Sequence, residues 1–308
     1  MSHENGSRHF GLDLGATNLK WAALERTDEA WSVLDRGQVP TRAADGVDAV
    51  LGRMAQLVEQ KRMEWPGIRS LGVGVPGLFD AALGVTTFVP NLPPDWRGHP
   101  VAGPLRERLG LPVGLINDAR AFGLAELRLG AGRGCRTMVG LALGTGVGGV
   151  VVVDGHVHFG HDGTGGEAGH QTILPDGPTC TCGNRGCLEA LTSADAVAAA
   201  CGTTTAAEAV RAARAGERRA VDGLAQIGRW LGIGISNLIV VLTPDRVVLG
   251  GGVAAAGELL LKPIRDEVRE RVHVTDLGAV DIVTAELGTW AGAIGAAVHA
   301  AETAVVPT

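Results

Sequence analysis

The sequence predicts an α/β protein built from two related domains, and three observations carry that prediction. The chain has 308 residues, a length that suits about two domains. Short apolar stretches of strand length alternate along it with longer stretches of helical spacing. A strand, a glycine-rich turn and a second strand occur twice, at 10–24 and again at 138–153.

Element by element, residues 10–14 read as a strand, Gly15-Ala16-Thr17-Asn18 as a turn, 19–24 as a second strand and 31–39 as a third. Val47, Val50, Leu51, Met54, Leu57 and Val58 recur at three- and four-residue steps, which predicts a helix over 47–63. A strand at 71–75, a proline-rich loop around Pro90 to Trp96, a strand at 113–116 and a helix over 119–129 follow. The glycines of Gly130-Ala131-Gly132-Arg133-Gly134 mark a joint. The second half restarts with strands at 138–143 and 149–153, then a loop rich in glycine, histidine and cysteine over 156–187. A long helix over 218–242 carries Leu224, Ile227, Leu231, Ile235, Leu238 and Leu242 on one side, and Pro244 stops it. A strand at 246–249 leads to Gly250-Gly251-Gly252, and a last helix covers 290–301. The expected domains are 1–117 with 290–308, and 118–289. A cleft between two such domains is a common place for a small-molecule site.

Composition removes several classes. The formal net charge of −6 gives no basic footprint for nucleic acid. A 45% hydrophobic content is too high for a disordered acidic tail. The first residues lack an apolar signal-peptide core. The apolar run at 138–153 is shorter than a membrane span and holds five glycines. A soluble cytoplasmic protein without a membrane partner is expected. Gly72-x-Gly74-x-x-Gly77 and Gly144-x-Gly146-x-x-Gly149 fit the dinucleotide fingerprint, but neither opens a helix, so a Rossmann cofactor is rejected. The only lysines are Lys20, Lys61 and Lys262, so no Gly-x4-Gly-Lys-Ser/Thr loop exists.

Cys180-x-Cys182-x4-Cys187, with His170 ten residues upstream, places three soft ligands and an imidazole within reach of one ion. Such a set makes a closed tetrahedral zinc site, structural rather than catalytic. Reduced core cysteines or a disulfide are the alternatives, and a cytoplasmic setting disfavours the second. Cys135 and Cys201 read as small core residues. His156, His158 and His161 read as solvated loop histidines. Turns such as Gly15-Ala16-Thr17-Asn18 and Gly144-Thr145-Gly146 can offer backbone N–H groups to phosphate, although glycines also simply make hairpins. Asp13 ends its strand beside the first turn and could position Mg²⁺ through water. Asp118 stands at the start of a helix, where an aspartate also serves as a cap.

Together these pieces resemble the ROK family of sugar kinases and sugar-responsive repressors. The matching segments are Asp13-Leu-Gly-Ala-Thr-Asn18, Gly74-Val-Pro-Gly77, Asn91-Leu-Pro, Asn117-Asp118, Leu143-Gly-Thr-Gly-Val-Gly-Gly149, Gly166-Glu-Ala-Gly-His170, Cys180-Thr-Cys-Gly-Asn-Arg-Gly-Cys-Leu-Glu189 and Gly250-Gly-Gly252. They stand in the family's order along nearly the whole chain. The resemblance implies the two-domain actin/hexokinase-like ATPase fold, with ribonuclease H-like repeats and a cleft between domains. It implies that Asp13, Gly15, Ala16, Thr17, Asn18, Gly144, Thr145 and Gly146 attend the phosphates of Mg-ATP, and Gly250, Gly251 and Gly252 the adenosine. It implies that Asn91, Asn117, Asp118, Glu167, His170 and Glu189 contact a hexose, with Asp118 as general base toward its 6-hydroxyl. The zinc loop of His170, Cys180, Cys182 and Cys187 would hold Glu167, His170 and Glu189 in place. The expected activity is glucose phosphorylation, and the expected assembly a homodimer or homotetramer.

Three positions depart from the family's pattern. Asn18 stands where many relatives carry lysine, Arg120 where a small or amide residue is common, and Gly148-Gly149-Val150 is one glycine short. The alternatives are a kinase acting on fructose, an N-acetylhexosamine or an aminohexose, a polyphosphate-dependent kinase, a silent sugar sensor, and a sugar-responsive repressor. The last needs a DNA-binding segment before the Asp13 motif, and the sequence leaves no room for one.

Overall fold

In the computed structural model, which describes residues 6–28, 30–89 and 92–304, the first apolar stretch forms strand β1 (Ser7–Leu14), with Phe10, Leu12 and Leu14 buried. The chain reverses into β2 (Asn18–Arg26) and again into β3 (Trp31–Pro40), both antiparallel to their predecessors. Helix α1 (Val47–Glu64) buries the apolar stripe that its spacing predicts. It delivers the chain to β4 (Ile68–Val75), parallel to β1 and buried at all but one position. A small hairpin, β5 (Leu78–Asp80) and β6 (Val85–Phe88), and helix α2 (Ala102–Leu109) intervene before β7 (Val113–Asn117), parallel to β4. Helix α3 (Asp118–Leu129) follows directly. The sheet order is β3-β2-β1-β4-β7.

The second unit repeats this plan. β8 (Met138–Leu143), β9 (Val147–Val153) and β10 (His156–Val157) form an antiparallel meander. The loop predicted over 156–187 is shorter at its start, because His156 and Val157 pair with β9, and it contains a 3₁₀ turn at Ala168–His170. Helices α4 (Leu188–Thr192), α5 (Ala194–Cys201), α6 (Ala206–Arg214) and α7 (Arg218–Leu242) come next. Strand β11 (Arg246–Gly250) is parallel to β8. Helix α8 (Glu258–Arg271) connects it to β12 (Asp281–Thr284), parallel to β11. The order β10-β9-β8-β11-β12 matches the first sheet in order and direction. By length and composition α7 could cross a membrane, but Leu224, Ile227, Leu231, Ile235 and Ile239 are buried in this unit's core, where α7 packs on α8. Leu238 and Leu242 sit at the rim of that core.

The chain then returns to the first unit as α9 (Ala291–Thr303), which lies on β1 and β4. Its alanines and glycines bring two backbones into contact. A Cβ on Gly72 of β4 would stand 1.8 Å from the Ala296 carbonyl oxygen of α9.

The contacts divide the chain into Met1–Leu129 with Thr289–Thr308, and Gly130–Gly288. The first boundary therefore falls at the start of the glycine joint, between Leu129 and Gly130, rather than after Asn117. Helix α3 packs on α9 and so belongs to the first unit. Strand β12 was not legible in the sequence, because four residues are too few to show a period.

Candidate active site

In the first unit the candidate residues collect at the carboxyl ends of its parallel strands. Asp13 in β1 pairs with Gly74 in β4, and Val75 pairs with Asn117 in β7. The Asp13 carboxylate is mostly covered and lies 3.6 Å from the Lys20 ammonium. Burial pushes its carboxyl above the usual carboxylate range, and Lys20 pulls the other way. Gly292 of α9 makes room for it, since a Cβ there would meet the carboxylate at 2.8 Å.

The first turn closes with the Gly15 N–H donating to the Asn18 carbonyl at 3.1 Å, and leaves Ala16 and Thr17 exposed. Thr41, which is buried, braces it from the end of β3. Its N–H donates to the Thr17 carbonyl at 2.9 Å and its hydroxyl to the Gly15 carbonyl at 2.6 Å. The Arg53 guanidinium in turn donates to the Thr41 carbonyl at 2.8 Å.

Asn117 is buried and caps α3. Its Oδ1 accepts the Ala119 N–H at 3.0 Å and the Arg120 N–H at 3.3 Å, while Nδ2 donates to the Gly77 carbonyl at 3.0 Å. The capping role thus falls to Asn117. Asp118 accepts the Ala119 N–H at 2.8 Å, and the residue is exposed. Arg120 is buried.

In the second unit the corresponding turn closes with the Gly144 N–H donating to the Gly146 carbonyl at 2.9 Å, and Thr145 is exposed. Glu189, in the first turn of α4, accepts the Val147 N–H at 2.9 Å. The Ala194 N–H donates to the Gly144 carbonyl at 2.8 Å. Gly250, Gly251 and Gly252 follow β11 beside this turn, because β11 pairs with β8 up to Gly250 and Ala142. Gly251 has φ +86°, and a Cβ there would stand 2.2 Å from the Leu143 carbonyl oxygen.

Next to the turn, His170, Cys180, Cys182 and Cys187 bring one ligand atom each to within 4.8 Å of one another. Cys180 Sγ lies 3.7 Å from His170 Nδ1, and Cys182 Sγ 3.7 Å from Cys187 Sγ. Thiolates about 2.3 Å from one tetrahedral ion stand about 3.8 Å apart, so the spacing fits zinc. Burial, then the adjacent Cys182 and Cys180 thiols, push the Cys187 thiol up to about 12, so without a cation this thiol holds its proton, whereas the Asn184 backbone N–H pulls the exposed Cys182 thiol below the usual range. Gly186, at φ +66°, lets the loop fold onto itself: a Cβ would lie 1.6 Å from the Leu174 carbonyl oxygen.

The structure thus gathers Asp13, the first turn, Asn117 and Asp118 in one unit. It gathers the second turn, the glycine triplet, His170, the three cysteines and Glu189 in the other. Glu167 opens the 3₁₀ turn that ends at His170, its carbonyl accepting the His170 N–H at 3.0 Å. Asn91 lies outside the described residues. His156, His158 and His161 are exposed, and Cys135 and Cys201 are buried core residues. Sequence reading missed Thr41 and Arg53, whose roles arise from pairing across the fold.

Comparison with known proteins places these features in a family setting. The ROK family model matches residues 9–303. A glucokinase of Thermotoga maritima is 35% identical over 94% of this chain and 95% of its own. The crystal structure of a ROK hexokinase from Thermus thermophilus superposes with TM-score 0.83 at 36% identity, covering 96% of this chain and 99% of that one. A ROK family glucokinase from Streptomyces griseus, in complex with glucose and AMPPNP, superposes with TM-score 0.77 at 30% identity, covering 97% and 100%.

Proposed function

The chain belongs to the ROK family, and from that premise we propose that it is an ATP-dependent sugar kinase which phosphorylates the 6-hydroxyl of glucose. Its fold is the actin/hexokinase-like ATPase fold. The observation that carries the reading is the repeated hairpin turn. Each unit presents one strand–turn–strand whose turn is exposed at its tip, at Ala16 and Thr17 in the first and Thr145 in the second, where backbone N–H groups can face an anion, and an exposed carboxylate, Asp118, stands two strands from the first turn.

In this reading Gly15 to Asn18 and Gly144 to Gly146 attend the phosphates of ATP, and Gly250 to Gly252 the adenosine. Asp118 accepts the proton of the sugar's 6-hydroxyl while that oxygen attacks the γ-phosphorus and the bond to the β-phosphate oxygen breaks, leaving ADP and glucose 6-phosphate. A carboxylate is a weak base, and phosphoryl transfer tolerates one because positioning and charge neutralisation supply most of the catalysis. Magnesium bound to the nucleotide neutralises phosphate charge; Asp13 would hold it through water, and its buried carboxylate must ionise to do so.

Zinc would bind His170, Cys180, Cys182 and Cys187, and its closed ligand set gives it a structural task. The nitrogen that faces the thiols is His170 Nδ1, which leaves Nε2 for a sugar hydroxyl. Asn91, Asn117, Glu167 and Glu189 complete the sugar's hydrogen-bond partners. Asn117 brings to this task the Nδ2 hydrogen that Gly77 does not use. We place the enzyme in the cytoplasm as a homodimer or homotetramer.

An ADP-release assay with Mg-ATP over glucose, mannose, fructose, N-acetylhexosamines and an aminohexose tests the reading. A clear glucose preference in kcat/KM supports it. Turnover of another hexose alone would keep the mechanism and replace the substrate. No turnover by zinc-loaded protein that still binds sugar would leave a sugar sensor.

A further inference from the structure

Glu189 joins two features that are separate in the sequence. Its Oε2 accepts the Val147 N–H at 2.9 Å, directly after the second glycine turn. Its Oε1 accepts from the Thr181 hydroxyl at 3.3 Å, inside the metal loop, and lies 3.6 Å from Cys180 Sγ. Gly146 leaves the space for this contact, since a Cβ there would stand 2.4 Å from Glu189 Oε2. Helix α4, which carries Glu189, is entered from Cys187, one of the metal-ligand set. Just beyond α4, the Ala194 N–H holds the Gly144 carbonyl. The turn is therefore gripped on both sides by a segment whose first residue sits in the metal cluster.

We propose that Glu189 is a positioning residue for the nucleotide: it ties the turn Gly144-Thr145-Gly146 to the loop of His170, Cys180, Cys182 and Cys187, so that metal loading sets the turn's affinity for phosphate. This rests on reading that turn as a phosphate site. The physical basis is preorganisation. Backbone N–H groups bind an anion well only when their peptides are already oriented, and a charged acceptor on the Val147 N–H fixes the peptide that closes the turn. With the carboxylate directed at its own backbone and the loop, Glu189 acts on the nucleotide through the turn, whatever it contributes to the sugar.

The test is Mg-ADP binding by calorimetry in the absence of sugar, where a sugar contact plays no part. Glu189→Ala weakens binding roughly tenfold, the loss expected for one charged hydrogen bond. Glu189→Gln, whose amide oxygen still accepts from Val147, recovers most of it. Chelation of the metal weakens wild-type binding by a similar factor and adds little to Glu189→Ala. Thr181→Val gives a smaller loss of the same kind and covers the case in which Glu189→Ala fails to fold, which metal content and a thermal melt reveal. Wild-type ADP affinity in folded, metal-loaded Glu189→Ala, with only glucose binding weakened, overturns the proposal. Thr145→Pro separates this from failure of the parent reading. If it abolishes ADP binding while Glu189→Ala leaves it intact, only the proposal fails. If the wild type binds no Mg-ADP, the phosphate reading fails with it.

Discussion

The two units share one sheet topology and place a hairpin turn at the same point in it, but they hold that turn differently. In the first, Thr41 braces the turn with a backbone N–H and a neutral hydroxyl, and Arg53 backs Thr41 from a helix. In the second, a carboxylate braces it, and that carboxylate is held by the Thr181 hydroxyl of a loop whose thiols are fit for an ion. The first turn therefore depends on ordinary sheet and helix packing. The second depends on a carboxylate that also reaches a loop carrying a candidate metal-ligand set. A repeated fold can keep one topology while assigning the support of its turns to unrelated chemistry.

The largest expected effect tests the division of labour. Asp118→Asn should lower kcat by about 10²–10⁴-fold, the usual span for loss of a general base, while glucose binding stays near the wild-type value. Near-normal turnover in a folded, zinc-loaded variant would remove Asp118 from the chemistry. Next in size is metal removal. An ion held at about a thousandfold above its Kd stabilises by about 4 kcal/mol, so chelation should lower melting of the second unit by roughly 8–16 °C. Hydrogen exchange would locate the change: faster exchange confined to peptides from 130–288 supports the contrast, and equal loosening of α1 and β4 would break it.

Thr41→Val keeps the shape of the side chain and deletes the hydroxyl that donates to Gly15. A loss of about 1 kcal/mol corresponds to about a fivefold rise in the KM for ATP. Chelation should leave that ratio unchanged, whereas it should erase most of the effect of Glu189→Ala. Sensitivity of both variants to the metal would merge the two braces into one system.

The smallest effect concerns Asp13. Burial raises its carboxyl in the folded state, so the folded chain holds that proton more tightly than the unfolded one. The associated stability is complete below the ordinary carboxyl value and is lost as pH rises through the raised one. Asp13→Asn removes that loss. Its melting temperature at pH 7 should therefore rise by a few degrees relative to wild type, with turnover sharply reduced, and the gain should vanish near pH 3. An equal gain at both values would point to a cause other than ionisation.

Much of the site was legible because its chemistry is compressed into short stretches. Cys180, Cys182 and Cys187 lie so close in sequence that few folds could keep them apart, and His170 reaches them through one compact loop. The glycines of both turns and the stripe of α1 were readable for the same reason: local spacing dictates local form. The capping of α3 was misplaced by one residue, because Asn117 and Asp118 are both good caps and only the rotamers chosen in the folded chain decide between them.

By itself the sequence determined the main strands, turns and helices, though not β12 or the β5–β6 hairpin, that the chain is a repeated α/β pair, and which side chains could ligate an ion. These follow from periodicity, glycine's freedom and donor chemistry, all properties of neighbours along the chain. Tertiary structure alone decided that Thr41 reaches Gly15 across 26 residues and that Glu189 reaches Val147 across 42. It also decided that α3 joins the first unit through α9, which lies at the other end of the chain. Those partners are set by strand register and helix packing, so no window of sequence contains both halves of the contact.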